Sequence, residues 1–340
     1  MSRLIKIIIF TLVAVLFAGL LVSCDNPIFP EIFGDPADTV QKTPGTDIGS
    51  DDVASSPGTP TPPAPAIPIV LTPVASGTLV ESNDFALVDF SNTEDGYVMA
   101  KWRTQADKQL RVRIVGPTGV AYNYRLSPDG EFEVLPLSDG NGEYTIMVLE
   151  QARGTEFAIV LAVSFEVTLT DEFAPFLRPN QYVNFTEDSN VVAVAAELVA
   201  GQPTFLDKIT EIYNFVATHI TYDQHFAQEV ADGYITGYIP DLDAVLARGY
   251  GICFDYAAVM TAMLRSQGIP TKMIFGYVGE IYHAWINVHS EETGWINGVI
   301  LFDGENWTLM DPTFESTADN SAALQEFIGD GSSYFVKFLF

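Results

Sequence analysis

The sequence predicts an α+β domain of catalytic type placed behind an all-β sandwich. Three observations carry this. From about residue 77 to 171, short runs alternate apolar and polar residues with period two. From about 190 to 267 the apolar residues recur at steps of three and four. Beyond Gly268 the period returns to two.

Two segments come first. Arg3 and Lys6 precede the uncharged run "IIIFTLVAVLFAGLLV", which ends in "LVSC". This reads as a secretory signal. Its last four residues resemble the bacterial lipobox, which implies that residues 1–24 are a leader and that Cys24 is lipidated and held at a membrane. The expected location is extracytoplasmic. Residues 25–76 are rich in Pro, Gly, Ser, Thr and Asp, with no hydrophobic period, and are expected to form a disordered tether.

Residues 77–171 form the expected immunoglobulin-like sandwich. Leu110, Val112 and Ile114 face one way in "QLRVRIVG", against Arg111 and Arg113. "GEFEVLPL" sets Phe132 and Val134 against Glu131 and Glu133. "GEYTIMVLE" aligns Tyr144, Ile146 and Val148. The turns "GPTG", "SPDG" and "SDGNGE" separate the runs. This domain holds no His or Cys, so it is expected to be a spacer or binding module.

Residues 180–340 form the expected second domain. "NVVAVAAELVAG" is helical. In the next helix Leu206, Ile209, Tyr213, Val216 and Ile220 share a face, with Pro203 near the start. A polar loop containing His225 is expected after "ITYD". "DLDAVLARGYG" is a short helix capped by Asp241 and stopped by Gly249 and Gly251. "FDYAAVMTAMLRSQGIP" is a helix with a stripe of Tyr256, Met260 and Met263, Leu264 beside them, and Asp255 as a helix-start carboxylate. "TKMIFGYVG", "HAWINVHS" and "ENWTLMDPT" are strands.

Charge and composition restrict the function. A formal net charge of -28 repels nucleic acid and anionic polymers, so no nucleic-acid partner is expected. No Cys/His cluster has zinc spacing and no phosphate loop appears, so neither a metal nor a cofactor is expected.

The chain has two cysteines. With Cys24 assigned to the anchor, Cys253 is an unpaired thiol in an exported chain. It stands at the start of a helix, where backbone N–H groups and the dipole favour a thiolate. A histidine must pair with it. His219 ends a helix, His225 lies in a loop and His289 is deep along a strand at the surface. His283 opens a strand 30 residues on. Asp311, 28 residues further, ends a strand able to pair with that of His283 and to orient its ring.

The local words sharpen this. "GYGICFDYA", "RSQGIPTKMIFGYV", "HAWINV" and "WTLMDPT" together resemble the transglutaminase-like superfamily over roughly 200–315. The resemblance implies a papain-like core in which Cys253 is the nucleophile, His283 the general base and acid, and Asp311 the orienting carboxylate. It also implies an aromatic oxyanion donor upstream of the cysteine, for which Tyr222 is the candidate and Tyr250 the second choice.

Ile252 and Phe254 stand where crosslinking animal transglutaminases carry Gln and Trp, and the calcium loops of those enzymes have no match. The expected protein is therefore a monomeric, surface-anchored cysteine peptidase or amidase acting on peptide or protein amides near the envelope. The alternatives are a glutamine–amine transferase and a non-catalytic adhesion module.

Overall fold

The computed structural model describes residues 21–23, 64–279, 281–291, 294–297, 300–302, 307–309 and 334–340. They divide between two units. The first holds residues 21–23 and 74–172, the second 64–73 and 173 onward.

The first unit is all β. Its strands are β1 (Leu21–Ser23), β2 (Val80–Ser82), β3 (Ala86–Asp89), β4 (Tyr97–Trp102), β5 (Leu110–Val115), β6 (Ala121–Arg125), β7 (Glu133–Pro136), β8 (Gly142–Arg153) and β9 (Glu156–Val167). They form two antiparallel sheets, ordered β1-β9-β8-β5-β6 and β2-β3-β4-β7. Val112, Ile114, Tyr144, Ile146 and Val148 are buried, as the alternation predicts.

One phase differs from expectation. In β7 the fully buried residues are Leu135 and, just beyond the strand, Leu137, not Phe132 and Val134. Leu135 pairs with buried Val98. Phe132 instead lies under the Lys101 ammonium, 4.6 Å from its ring centre. An amphipathic cation covers the ring on the other face, which the period alone does not reveal.

The second unit runs α1 (Asn190–Leu198), α2 (Phe205–His219), β10 (Thr221–Tyr222), α3 (Gln224–Ala231), α4 (Leu242–Arg248), β11 (Tyr250–Gly251) and α5 (Cys253–Arg265). It continues with β12 (Thr271–Val278), β13 (Ile281–Ser290), β14 (Gly294–Ile296), β15 (Ile300–Phe302), β16 (Trp307–Leu309) and β17 (Tyr334–Leu339). A four-stranded antiparallel sheet, β14-β13-β12-β17, packs with α5. The chain is therefore α+β, with a sheet-rich region ahead of this unit.

Two elements depart from the sequence reading, and a third expectation falls partly outside the described residues. The expected polar loop after Tyr222 contains α3, started by the Asp223 carboxylate accepting the Phe226 N–H at 2.9 Å. None of its residues is buried, and its apolar positions are few, Phe226 and Val230 one turn apart with two alanines. The helix α5 is buried on every side, Thr261 and Arg265 included, not along one stripe. In the described ladders β16 pairs with β15, while β13 pairs with β12 and β14. The expected pairing of the "WTL" strand with that of His283 is not among them.

The segment 64–73, read as part of the tether, lies on the second unit. Ala66 N–H donates to Ala196 O at 2.9 Å, and Ile69 N–H to Ser266 O at 2.7 Å. At its other end the second unit takes in residues from Phe173, ahead of the expected boundary at 180.

Arg265 closes the far end of α5. Its guanidinium is fully buried and donates to three backbone carbonyls: Thr271 O from Nε (3.0 Å) and Nη2 (2.8 Å), Arg178 O from Nη1 (2.7 Å) and Phe340 O from Nη2 (2.7 Å). One side chain thus ties the last turn of α5 to the start of β12, to the segment before α1 and to the end of β17. Charge-assisted bonds of this kind hold only while each acceptor is served. Arg265→Met is expected to take the guanidinium donors from these carbonyls, of which Phe340 O keeps the Met273 N–H, and to lower stability by about 3 kcal/mol, read as a reduced urea midpoint.

Candidate active site

Cys253 is the first residue of α5 and is half-buried. The turn before it is built by α4. Asp241 caps α4 through the Ala244 N–H at 3.0 Å, and Gly249 ends it in the left-handed region at φ 68°. The chain then pairs in parallel with β10: Thr221 lies opposite Tyr250, and Tyr222 opposite Gly251. Asp223 N–H donates to Gly251 O at 2.8 Å. These bonds hold the half-buried Tyr222 beside the backbone two residues before the thiol. The Tyr222 ring also lies 6.5 Å from that of Tyr256 on α5. Tyr250, the second choice, is 50% exposed.

The N-terminus of α5 differs from those of its neighbours. Side-chain oxygens take the first amides of α2 (Thr204), α3 (Asp223) and α4 (Asp241). Those of α1 are taken by Asp243, at 2.9 Å from Asn190 N and 3.0 Å from Val191 N. At α5 the cap position is Ile252, whose side chain carries no acceptor. A cap oxygen is therefore withheld at the helix end that carries the thiol.

The other half of a capping box is present. Asp255, fully buried, folds back and accepts the Ile252 N–H at 2.7 Å. Its second oxygen accepts the Tyr238 hydroxyl and Arg248 Nη2, the latter at 3.0 Å. Arg248 also donates to the Tyr238 hydroxyl at 2.9 Å and, from Nε, to Tyr250 O at 2.7 Å.

Burial is the main influence on the Asp255 carboxyl and holds it above its ordinary range, against the pull of Tyr238, the Ile252 amide and Arg248. Burial also lowers Arg248, but the Tyr238 hydroxyl and the Asp255 charge outweigh it, and the net direction is up. Neither Tyr238 nor Arg248 stands in a recognisable motif, and in the sequence Asp255 is an ordinary helix-start carboxylate. A usable signal was present: Asp at the third helical position with no Ser or Thr at the cap.

Gly251 is required by this arrangement. A Cβ there would stand 2.6 Å from Asp255 Cβ and 2.7 Å from its carboxylate.

His283 lies near the start of β13, opposite Gly276 of β12, and is 5% exposed. Its ring lies 6.3 Å from that of Trp285, nearly parallel. Gly276 is also required, because a Cβ there would meet Phe335 O at 2.0 Å and the Trp285 ring at 2.6 Å. The residue before the histidine is Tyr282. Burial first, then Tyr182, Cys253 and Tyr277, raise its hydroxyl above the ordinary tyrosine range. Phe254, next to Cys253, packs edge-on to Phe275, whose ring is stacked on that of Tyr282. The α5 N-terminus and the first residues of β13 therefore meet.

The other histidines are engaged elsewhere. His219 Nε2 bonds Leu246 O at 2.7 Å, and His225 stands 3.4 Å from Glu229 on exposed α3. His289, expected at the surface, is half-buried against Phe173 and Trp295. Asp311 and Cys24 lie outside the described residues.

Residues 192–298 match the family model of the transglutaminase-like superfamily. No curated protein matches the sequence. Among solved structures the chain is similar to a candidate cysteine protease from Cytophaga hutchinsonii. The identity is 15% and the TM-score 0.32, over 62% of this chain and 68% of that one. A protein named only as a TGase shares 18% identity with a TM-score of 0.28, over 48% of this chain and 43% of that one. Red sea bream transglutaminase shares 14% with a TM-score of 0.26, over 66% and 48%. The chain thus spans less than half the length of each of the last two. Likenesses this slight bear on no residue's role. The family match covers residues 192–298, which lie within the second unit and form its transglutaminase-like core.

Gly251→Ala is expected to push Asp255 off the Ile252 amide. Stability should fall by about 1–3 kcal/mol, and alkylation of Cys253 should slow in step. Thermal melting and peptide mass spectrometry of the alkylated thiol check both.

Proposed function

We propose that this protein is a thiol acyl-transfer enzyme, a cysteine peptidase or amidase that cleaves peptide or protein amides through a thioester on Cys253. The observation that carries the reading is the α5 N-terminus: a half-buried thiol at a helix end without a cap oxygen, with Tyr222 beside the turn before it, on a helix packed against β13, the strand that carries Tyr282 and His283.

In this reading His283 holds the proton taken from Cys253. The thiolate attacks the amide carbon and forms the C–S bond. The oxyanion is met by backbone N–H groups at the start of α5 and by the Tyr222 hydroxyl. His283 returns the proton to the leaving amine as the C–N bond breaks. Water then loses a proton to His283 and attacks the thioester. The C–S bond breaks, releasing the acid and restoring the thiol. Asp311 has the orienting role. Transfer to an amine in place of water is the close alternative, with an adhesion module as the non-catalytic one.

The "LVSC" sequence supports lipidation at Cys24 and action at the outer face of a cell membrane. Cleavage there would remove Leu21–Ser23, the residues paired with β9, and leave β9 as the outer strand of its sheet.

Incubation with a peptide library and an added primary amine, read by mass spectrometry, tests the reaction. New free carboxyl ends are expected, abolished by Cys253→Ala and His283→Ala. Glutamine–amine adducts without hydrolysis would replace peptidase by transferase. A Cys253 no more reactive than a model thiol, with no product of either kind, would sink the enzyme reading. Tyr222→Phe is expected to lower kcat about a hundredfold with KM little changed, as loss of one oxyanion donor does.

A further inference from the structure

A buried carboxylate beside a nucleophile poses an electrostatic problem. Asp255 is two residues from Cys253, in the same first turn of α5, with no exposure to water. Its negative charge opposes a thiolate at that helix end, since like charges at short range in a poorly solvated site disfavour ionisation. Yet its bond to the Ile252 N–H holds the turn that presents the thiol. The carboxylate is needed for shape and harmful in charge.

Arg248 meets both demands. Its guanidinium is permanently charged and contacts the Asp255 carboxylate at 3.0 Å. The same Nη2 bonds the Tyr238 hydroxyl, and Nε bonds the carbonyl of Tyr250, inside the turn itself. Tyr238 is held in turn by edge-on contacts with Phe226 of α3 and Phe254 of α5. Among the described residues, the ionisable groups around this end include Asp255 on α5, Arg248 and Tyr238 on the approach to it, Tyr222 on β10, Asp223 bonded to the turn at Gly251, Tyr250 on β11, Tyr182 ahead of α1, and Tyr282 and His283 on β13. Arg248 is the one among them with a permanent positive charge.

We infer that Arg248 is a positioning and charge-compensating residue for Cys253: it cancels the buried Asp255 carboxylate, so that the α5 N-terminus stays favourable to a thiolate, while its second arm fixes the Tyr250–Ile252 turn. The inference rests on Cys253 being the nucleophile. It makes Arg248 act through Asp255 and the helix end, without touching substrate.

The test is alkylation of Cys253 by iodoacetamide across a pH series, read by peptide mass spectrometry on the full chain. Arg248→Gln is expected to move the midpoint of the rate profile up by about one pH unit and to slow alkylation at neutral pH about tenfold. Adding Asp255→Asn removes the uncompensated charge, and the double variant should recover to within about threefold of wild type. Arg248→Lys keeps the charge and should keep the midpoint. Asp243→Asn loosens the cap on α1; it should lower thermal stability and leave the midpoint in place.

A double variant no more reactive than Arg248→Gln alone would overturn charge compensation, as would a midpoint moved as far by Lys as by Gln. A wild-type thiol with a low midpoint that Arg248→Gln does not change sinks this inference and leaves the enzyme reading standing. A wild-type midpoint equal to that of a model thiol sinks this inference, and sinks the enzyme reading with it when the peptide library also yields no product.

Discussion

The bond from the Ile252 amide to the Asp255 carboxylate is the contact on which the site depends. It makes a tight turn out of residues 250–252 and fixes the entry angle of α5. It also determines what else the chain carries nearby. Position 251 must be glycine, because the carboxylate occupies the space of a side chain. The carboxylate, sealed from water, must be bonded on its other oxygen, and Arg248 and Tyr238 do so. Burying a charge is tolerable only when every lone pair is met. One capping choice at a helix end therefore fixes residues on α4, on the segment before it and on the turn.

The rest of the second unit holds this end in place. The helix α5 is enclosed along its whole length. Near its start Tyr256 donates to Ile220 O at 2.6 Å, which ties α5 to the end of α2. At its far end Arg265 gathers three backbone carbonyls. A helix pinned at both ends cannot slide along the sheet, so the distance from its N-terminus to the start of β13 is held by packing. Gly276 contributes from the sheet side: without a side chain there, Trp285 seats beside His283 and β17 passes close behind. The glycine in "FGYV" thus has a steric reason.

Much of this was legible from residue order. Alternation located the strands of the first unit, and steps of three and four located α1, α2, α4 and α5. Signals that depend on partners distant in sequence were missed. The helix α3 has only eight residues and none of them is buried, so it reads as polar chain, and its Asp223 cap is the clearer mark. The phase of β7 was misread because Phe132 is covered by a lysine, which no period can show. The pairing expected between the strand that Asp311 ends and β13 turns on residues outside the described ones.

The sequence by itself determined the residue types of the chemistry: a thiol at a helix start, a histidine at a strand start, and the transglutaminase-like words that join them. These are local features, and local features survive in a one-dimensional reading. Only the tertiary structure decided what surrounds the thiol. That Asp255 is sealed from water, that Arg248 and Tyr238 converge on it, and that Tyr222 lies alongside Gly251 all depend on chain segments brought together by packing. Charge has consequences only at close range and in the absence of water, and a sequence records neither distance nor burial.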